Sequence, residues 1–216
     1  MTDLLLTNAK LLDPEGGVTT GALGITDGKI SAIITDDSPL PEAGETIDCN
    51  RKHLAPGIVD IGVKVCEPGE RHKESFGSAG LAAAAGGVTT IVTRPDTLPA
   101  VDTPETLEFA TRRAQADAPV NVLPMAALTK GREGREMTEI GFLQDAGAVA
   151  FTDCDHVITN TKVFSRALTY AKSCGALVIA HPQEPGLSKG AAATSGKFAA
   201  LRGLPAVSPM AKSAKG

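Results

Sequence analysis

The chain has 216 residues, 42% of them apolar, with 21 Lys and Arg against 25 Asp and Glu and a formal net charge of -4. That length holds one ordinary domain, or a small domain with part of a larger one. Mild acidity without a basic run or basic–aromatic interleaving argues against nucleic-acid binding. No apolar run reaches the length of a membrane span, and Met1-Thr2-Asp3-Leu4-Leu5-Leu6 carries no charged leader, which predicts no membrane association and a cytoplasmic location.

Residues 4 to 12 alternate weakly and end in the loop Asp13-Pro14-Glu15-Gly16-Gly17. Ala22 to Ile25 and Lys29 to Ile34 flank Thr26-Asp27-Gly28, and Asp-Gly between two apolar runs predicts a hairpin because Gly accepts a positive φ. A polar loop from Thr35 to Gly44 and a short strand near Thr46 to Cys49 follow. Residues 1–54 are therefore read as a small N-terminal β-sandwich segment.

After Pro56 the pattern becomes strand then helix, repeated. Strand Ile58–Val65 leads to an Ala-rich helix near Glu74 to Ala85, stopped by Gly86-Gly87. Strand Val88–Thr93 is followed by a helix capped by Thr103 with Pro104 at its first position, bearing Leu107, Ala110 and Ala114 on one face. Strand Val120–Leu128 precedes a helix near Thr138 to Ala146. Strand Ala148–Phe151 precedes a helix capped by Asn160, carrying Val163, Phe164, Ala167, Leu168 and Ala171 and closed by Gly175. Strand Ala176–Ala180 delivers His181, and residues 182–216 read as a loop-rich tail.

Five strands alternating with four helices imply a parallel α/β sheet with helices outside. Function in such sheets gathers at the carboxyl ends of the strands, where Cys66, Asp96, Asp153 and His181 all fall. Periodicity does not separate a barrel from an open doubly wound sheet, although the missing GxGxxG argues against a dinucleotide fold. Cys49, Cys66, Cys154 and Cys174 have no tight spacing and read as free thiols in a reducing compartment. His53, His72 and His156 read as surface or loop residues, and Asp96 as a surface ion-pair partner of Arg94.

The ordered set Leu54-Ala55-Pro56-Gly57-Ile58-Val59-Asp60, Glu67-Pro68-Gly69, Lys73-Glu74, Ala83 to Val92, Pro95-Asp96-Thr97-Leu98-Pro99, Gly147 to Asp153, His181 and Leu204-Pro205 resembles the dihydroorotase family of the amidohydrolase superfamily. The resemblance runs from the N-terminus to about Pro209. Glu-Pro-Gly and Pro-Asp-Thr-x-Pro favour dihydroorotase over hydantoinase, with allantoinase a closer rival.

The resemblance implies a TIM-barrel (β/α)8-type metal-dependent hydrolase fold, here incomplete at about five strands over residues 55–181. It also implies interconversion of dihydroorotate and N-carbamoyl-aspartate in pyrimidine synthesis by a zinc-activated hydroxide, since zinc brings the pKa of its water close to ~7. The family's His-x-His ligands fall on Gly62 and Lys64, one without a donor and the other an ammonium. Its substrate-gripping Arg falls on Cys66 and its substrate Asn on Asp96, which predicts a mouth less welcoming to a dianion. Its metal-binding Asp and a metal-binding His are kept as Asp153 and His181, while later ligands have no counterpart up to Gly216.

The expectation is therefore a catalytically impaired or inactive dihydroorotase-like protein, similar to those that accompany aspartate carbamoyltransferase in some bacteria. The missing strands imply that such a partner or self-association covers open barrel edges, or that the chain is a fragment. No cofactor is expected, and zinc is the metal if one binds. The alternative is an active cyclic amidohydrolase with an atypical site, including a rewired zinc site of Cys66, Cys154, Asp153 and His181. Lys64 is expected to pair with Asp153, taking the place of a metal.

Overall fold

Asp27 and Gly28 both take positive φ, 51° and 70°, as a tight two-residue hairpin turn demands. They join β2 (Gly17–Thr26) to β3 (Lys29–Ile34) in the computed structural model, which describes residues 2–13, 15–35 and 38–213. Pro14 of the first predicted loop, Asp36 and Asp37 of the second, and residues 214–216 of the predicted tail lie outside the described residues.

The chain divides into two compact units, Met1–Gly57 and Ile58–Gly216. In the first, the long strand β1 (Thr2–Asp13) pairs antiparallel with β2 and parallel with both β4 (Ala43–Asp48) and β5 (His53–Leu54). All five strands belong to one sheet, so the described residues form a single mixed sheet where a sandwich was expected. Two-stranded alternation alone does not reveal whether a second layer is present.

The second unit opens with the parallel strands β6 (Ile58–Val63), β7 (Val88–Thr93) and β8 (Asn121–Pro124), adjacent in chain order. Two further parallel strands continue this sheet through bridges from Ala126 to Phe151 and from Phe151 to Val178. Backbone bonds of 2.9 Å from Phe151 N–H to Leu177 and from Ile179 N–H to Phe151 fix their register. Of the five strands read from the sequence, three form this sheet as continuous ladders, and the fourth and fifth are present only as single bridges at Phe151 and Val178. Between them run α1 (Phe76–Ala85), α2 (Pro104–Asp117), α3 (Ile140–Asp145) and α4 (Thr161–Cys174).

The helix ends follow local chemistry. Thr103 Oγ1 accepts from Thr106 N–H, and Asn160 Oδ1 accepts from the N–H groups of Lys162 and Val163 at 3.1 and 3.3 Å. Gly175 closes α4 in the left-handed region at φ 67°. An Asn160→Ala change orphans both donors, and its expected cost is about 1 kcal/mol. Thermal unfolding followed by circular dichroism checks this as a fall of roughly 3 °C in midpoint.

Leu107, Ala110 and Ala114 are buried together on α2. The main core gathers Leu107, Leu128, Ile140, Leu143, Phe151, Ala167 and Ala171, between the sheet and its helices. Leu168, predicted to share the buried face of α4, is instead 40% exposed. Beyond the fifth strand the expected tail forms short pieces: α5 (Pro185–Ser188), β9 (Ala193–Thr194), α6 (Lys197–Leu201), β10 (Ala206–Val207) and α7 (Met210–Ser213). No helix among the described residues is long and apolar enough to cross a membrane.

Candidate active site

Apart from Gly62, the candidate residues follow the carboxyl ends of parallel strands. Gly62, at φ 92°, lies within β6, with Lys64 and Cys66 after it. Asp96 follows β7, while Asp153 and His181 follow the fourth and fifth strands. The Glu-Pro-Gly and Pro-Asp-Thr-Leu-Pro segments meet here. Gly69 has φ 99°, and a Cβ on it would lie 2.2 Å from the Leu98 carbonyl oxygen, so this position excludes any side chain.

Lys64 does not take Asp153 as its partner. Its Nζ lies 3.2 Å from Asp96 Oδ2, and Arg94 grips the same carboxylate through Nε and Nη2 at 3.2 and 3.0 Å. The Asp96 side chain is only 5% exposed, so this is a buried centre rather than the expected surface pair. Arg94 Nη2 also reaches Asp155 at 2.9 Å. Burial opposes the charged form of Arg94, yet Asp155 and Asp96 together hold its guanidinium above the ordinary arginine range. Arg94 in turn holds the Asp155 carboxyl below its ordinary range. The extra negative charge expected from Asp96 is therefore met by two cations at close range.

Asp153 is 4% exposed and faces inward. Its Oδ1 accepts from the backbone N–H groups of Leu128 and Thr129 at 3.0 and 2.9 Å, and its Oδ2 accepts from Thr129 Oγ1 at 2.5 Å. Burial raises its pKa despite those bonds. Arg132 reaches the Asp153 carbonyl from Nε and Nη2, both at 3.4 Å. Neither Thr129 nor Arg132 carried a sequence signal.

Asp153 and His181 line one recess of ≈ 30 Å³, together with His156, Leu128 and Ile179. That is room for a water or two, not for a substrate. His156 is an exposed loop residue, as read from the sequence, and its Nδ1 lies 3.0 Å from the Arg132 carbonyl. His181 Nε2 lies 2.6 Å from Gln183 Oε1.

The donor set does not fit a zinc ion. Catalytic zinc takes three protein ligands, whereas among the described residues no three His, Cys, Asp or Glu groups converge as a metal would need. Lys64 is an ammonium engaged with Asp96, and Asp153 is held by three donors. The rewired thiolate site is not assembled either. Cys66 and Cys154 are half-buried free thiols, and burial pushes Cys154 up, away from the thiolate a metal requires.

The Dihydro-orotase-like family matches residues 51–214. The chain belongs to this family, within the amidohydrolase superfamily. It is similar to the dihydroorotase of Sulfurihydrogenibium sp. (strain YO3AOP1), 36% identical over 210 residues, covering 97% of this chain and 49% of that protein. The dihydroorotase of Bacillus cytotoxicus is 39% identical over 206 residues, covering 94% and 48%. The chain thus spans about half the length of the curated relatives it matches.

Among solved structures, the L-hydantoinase (dihydropyrimidinase) of Arthrobacter aurescens superposes with TM-score 0.75 at 25% identity, covering 87% of this chain and 42% of that one. A dihydroorotase crystal structure superposes with TM-score 0.55 at 15% identity, covering 86% and 52%. These likenesses agree with five successive strands of a partial TIM barrel.

Proposed function

We propose that this chain is a non-catalytic, dihydroorotase-like component of cytosolic pyrimidine biosynthesis, acting as a structural or regulatory partner of aspartate carbamoyltransferase. One observation carries the reading. The two positions that would aim imidazoles at a metal hold Gly62 and Lys64, and the Lys64 ammonium is engaged with Asp96 at 3.2 Å. A nucleophilic hydroxide at neutral pH needs a Lewis acid held by several donors, and the residues present do not provide that set. The partner half of the reading draws on the sheet itself, where Ile61, Leu123 and Leu177 are 65%, 41% and 60% exposed. Covering apolar surface of that kind favours association.

The expected result is no turnover of dihydroorotate by the purified chain, with or without added zinc. Co-elution with aspartate carbamoyltransferase at micromolar concentration is expected in size-exclusion chromatography. Zinc-dependent turnover abolished by Asp153→Ala would replace this reading with that of an active amidohydrolase using an atypical site. The shared recess of Asp153, His156 and His181 is the feature that reading would use.

A further inference from the structure

Four side chains beyond the strand ends alternate in charge: Lys64, Asp96, Arg94 and Asp155. Successive contacts are 3.2, 3.0 and 2.9 Å. We propose that they act as one electrostatic tie across the carboxyl ends of β6, β7 and the fourth strand, taking the cross-linking part that a shared cation would otherwise play there. The tie rests on its own geometry. Its role as a stand-in for a cation rests on the non-catalytic reading above.

Isolated exposed ion pairs contribute little, and the outer members here are exposed, Lys64 at 55% and Asp155 at 78%. The centre is different. Asp96 Oδ2 is shared by Lys64 Nζ and Arg94 Nη2, and the Asp96 side chain is 5% exposed. A buried carboxylate shared by two cations couples them, because removing either leaves its charge less compensated in a poorly solvated place. The backbone at the same place joins these strands, Arg94 N–H donating to the Val63 carbonyl at 2.9 Å. Loss of the tie should therefore loosen that bond.

A double-mutant cycle of Lys64→Met and Asp96→Asn in the full chain tests this, read by thermal unfolding and by amide exchange at Arg94. Each single change is expected to lower the midpoint by roughly 3–6 °C, and the double change by no more than the worse single. The Arg94 amide is expected to exchange about ten-fold faster in each, with Lys64→Arg restoring wild-type exchange. Should Asp96→Asn fail to fold, Lys64→Met with Asp155→Asn forms the second cycle, also expected to be non-additive although those two side chains are not in contact. Additive losses, or unchanged Arg94 exchange, overturn the tie. A chelator is expected to leave the wild-type midpoint unmoved. A chelator-dependent fall with a non-additive cycle would overturn the stand-in role and the non-catalytic reading, but not the tie.

Discussion

Glu67→Ala is expected to cost about 3–5 kcal/mol, the range for breaking a buried, charge-paired group. Thermal unfolding would show this as a midpoint fall of roughly 10 °C. Glu67 sits in the Glu-Pro-Gly segment, is 5% exposed, and holds three elements at once. Its Oε1 accepts from Arg113 Nε on α2 at 2.9 Å and lies 3.6 Å from Arg71 Nε, while Oε2 accepts from the Phe76 N–H at 3.3 Å. Phe76 is the first residue of α1, whose first turn contains no acidic side chain. Glu67 therefore supplies, from outside the helix, the negative charge that a helix N-terminus favours. Arg113 and Arg71 also reach Asp117, so the truncation leaves two guanidinium groups around one remaining carboxylate. Glu67→Gln keeps an acceptor and is expected to lose about half as much. A loss below about 1 kcal/mol for Glu67→Ala, measured by urea unfolding, would show that water replaces these contacts.

The same residue marks where reading the chain stops. Thr103, Asn160 and Gly175 were legible because a cap or a left-handed terminus is decided within four residues of sequence. The fourth and fifth strands were legible from the short apolar runs Ala148–Phe151 and Ala176–Ala180, even though they are tied into the sheet only by the bridges of Phe151 to Ala126 and to Val178. Glu67 entered only as part of a motif, because its partner Arg113 lies 46 positions away. Lys64 was read within the strand Ile58–Val65, whereas β6 ends at Val63, and two carboxylates were within conceivable reach. Strand neighbours settled which one it meets: Asp96 follows the adjacent strand β7. Leu168 fits the helical period yet sits at the margin of the stripe, where tertiary packing rather than period decides burial. The single mixed sheet of the first unit was illegible for a related reason, since alternation describes a strand and not the number of layers.

Asp153 offers the sharpest contrast between a structural and a catalytic carboxylate. Asp153→Ala is expected to cost about 3 kcal/mol, because it orphans the buried N–H groups of Leu128 and Thr129 and removes the acceptor of Thr129 Oγ1. Asp153→Asn keeps an acceptor for both N–H groups and is expected to cost about 1 kcal/mol near pH 7. The two proteins should also differ with pH. Burial raises the folded-state pKa of Asp153 above the ordinary value of 3.8, so the folded state holds its proton more tightly than the unfolded chain does. The stabilisation from that proton is complete below pH 3.8 and is lost as pH rises through the folded value. Asn does not titrate. Its deficit relative to wild type should therefore be largest in acid and should shrink as pH rises toward neutrality. Urea unfolding at several pH values between about 4 and 7 measures this difference directly. A deficit that grows with pH would mean that the folded-state pKa lies below the ordinary value, the hydrogen bonds from Leu128 and Thr129 to the charged form outweighing burial.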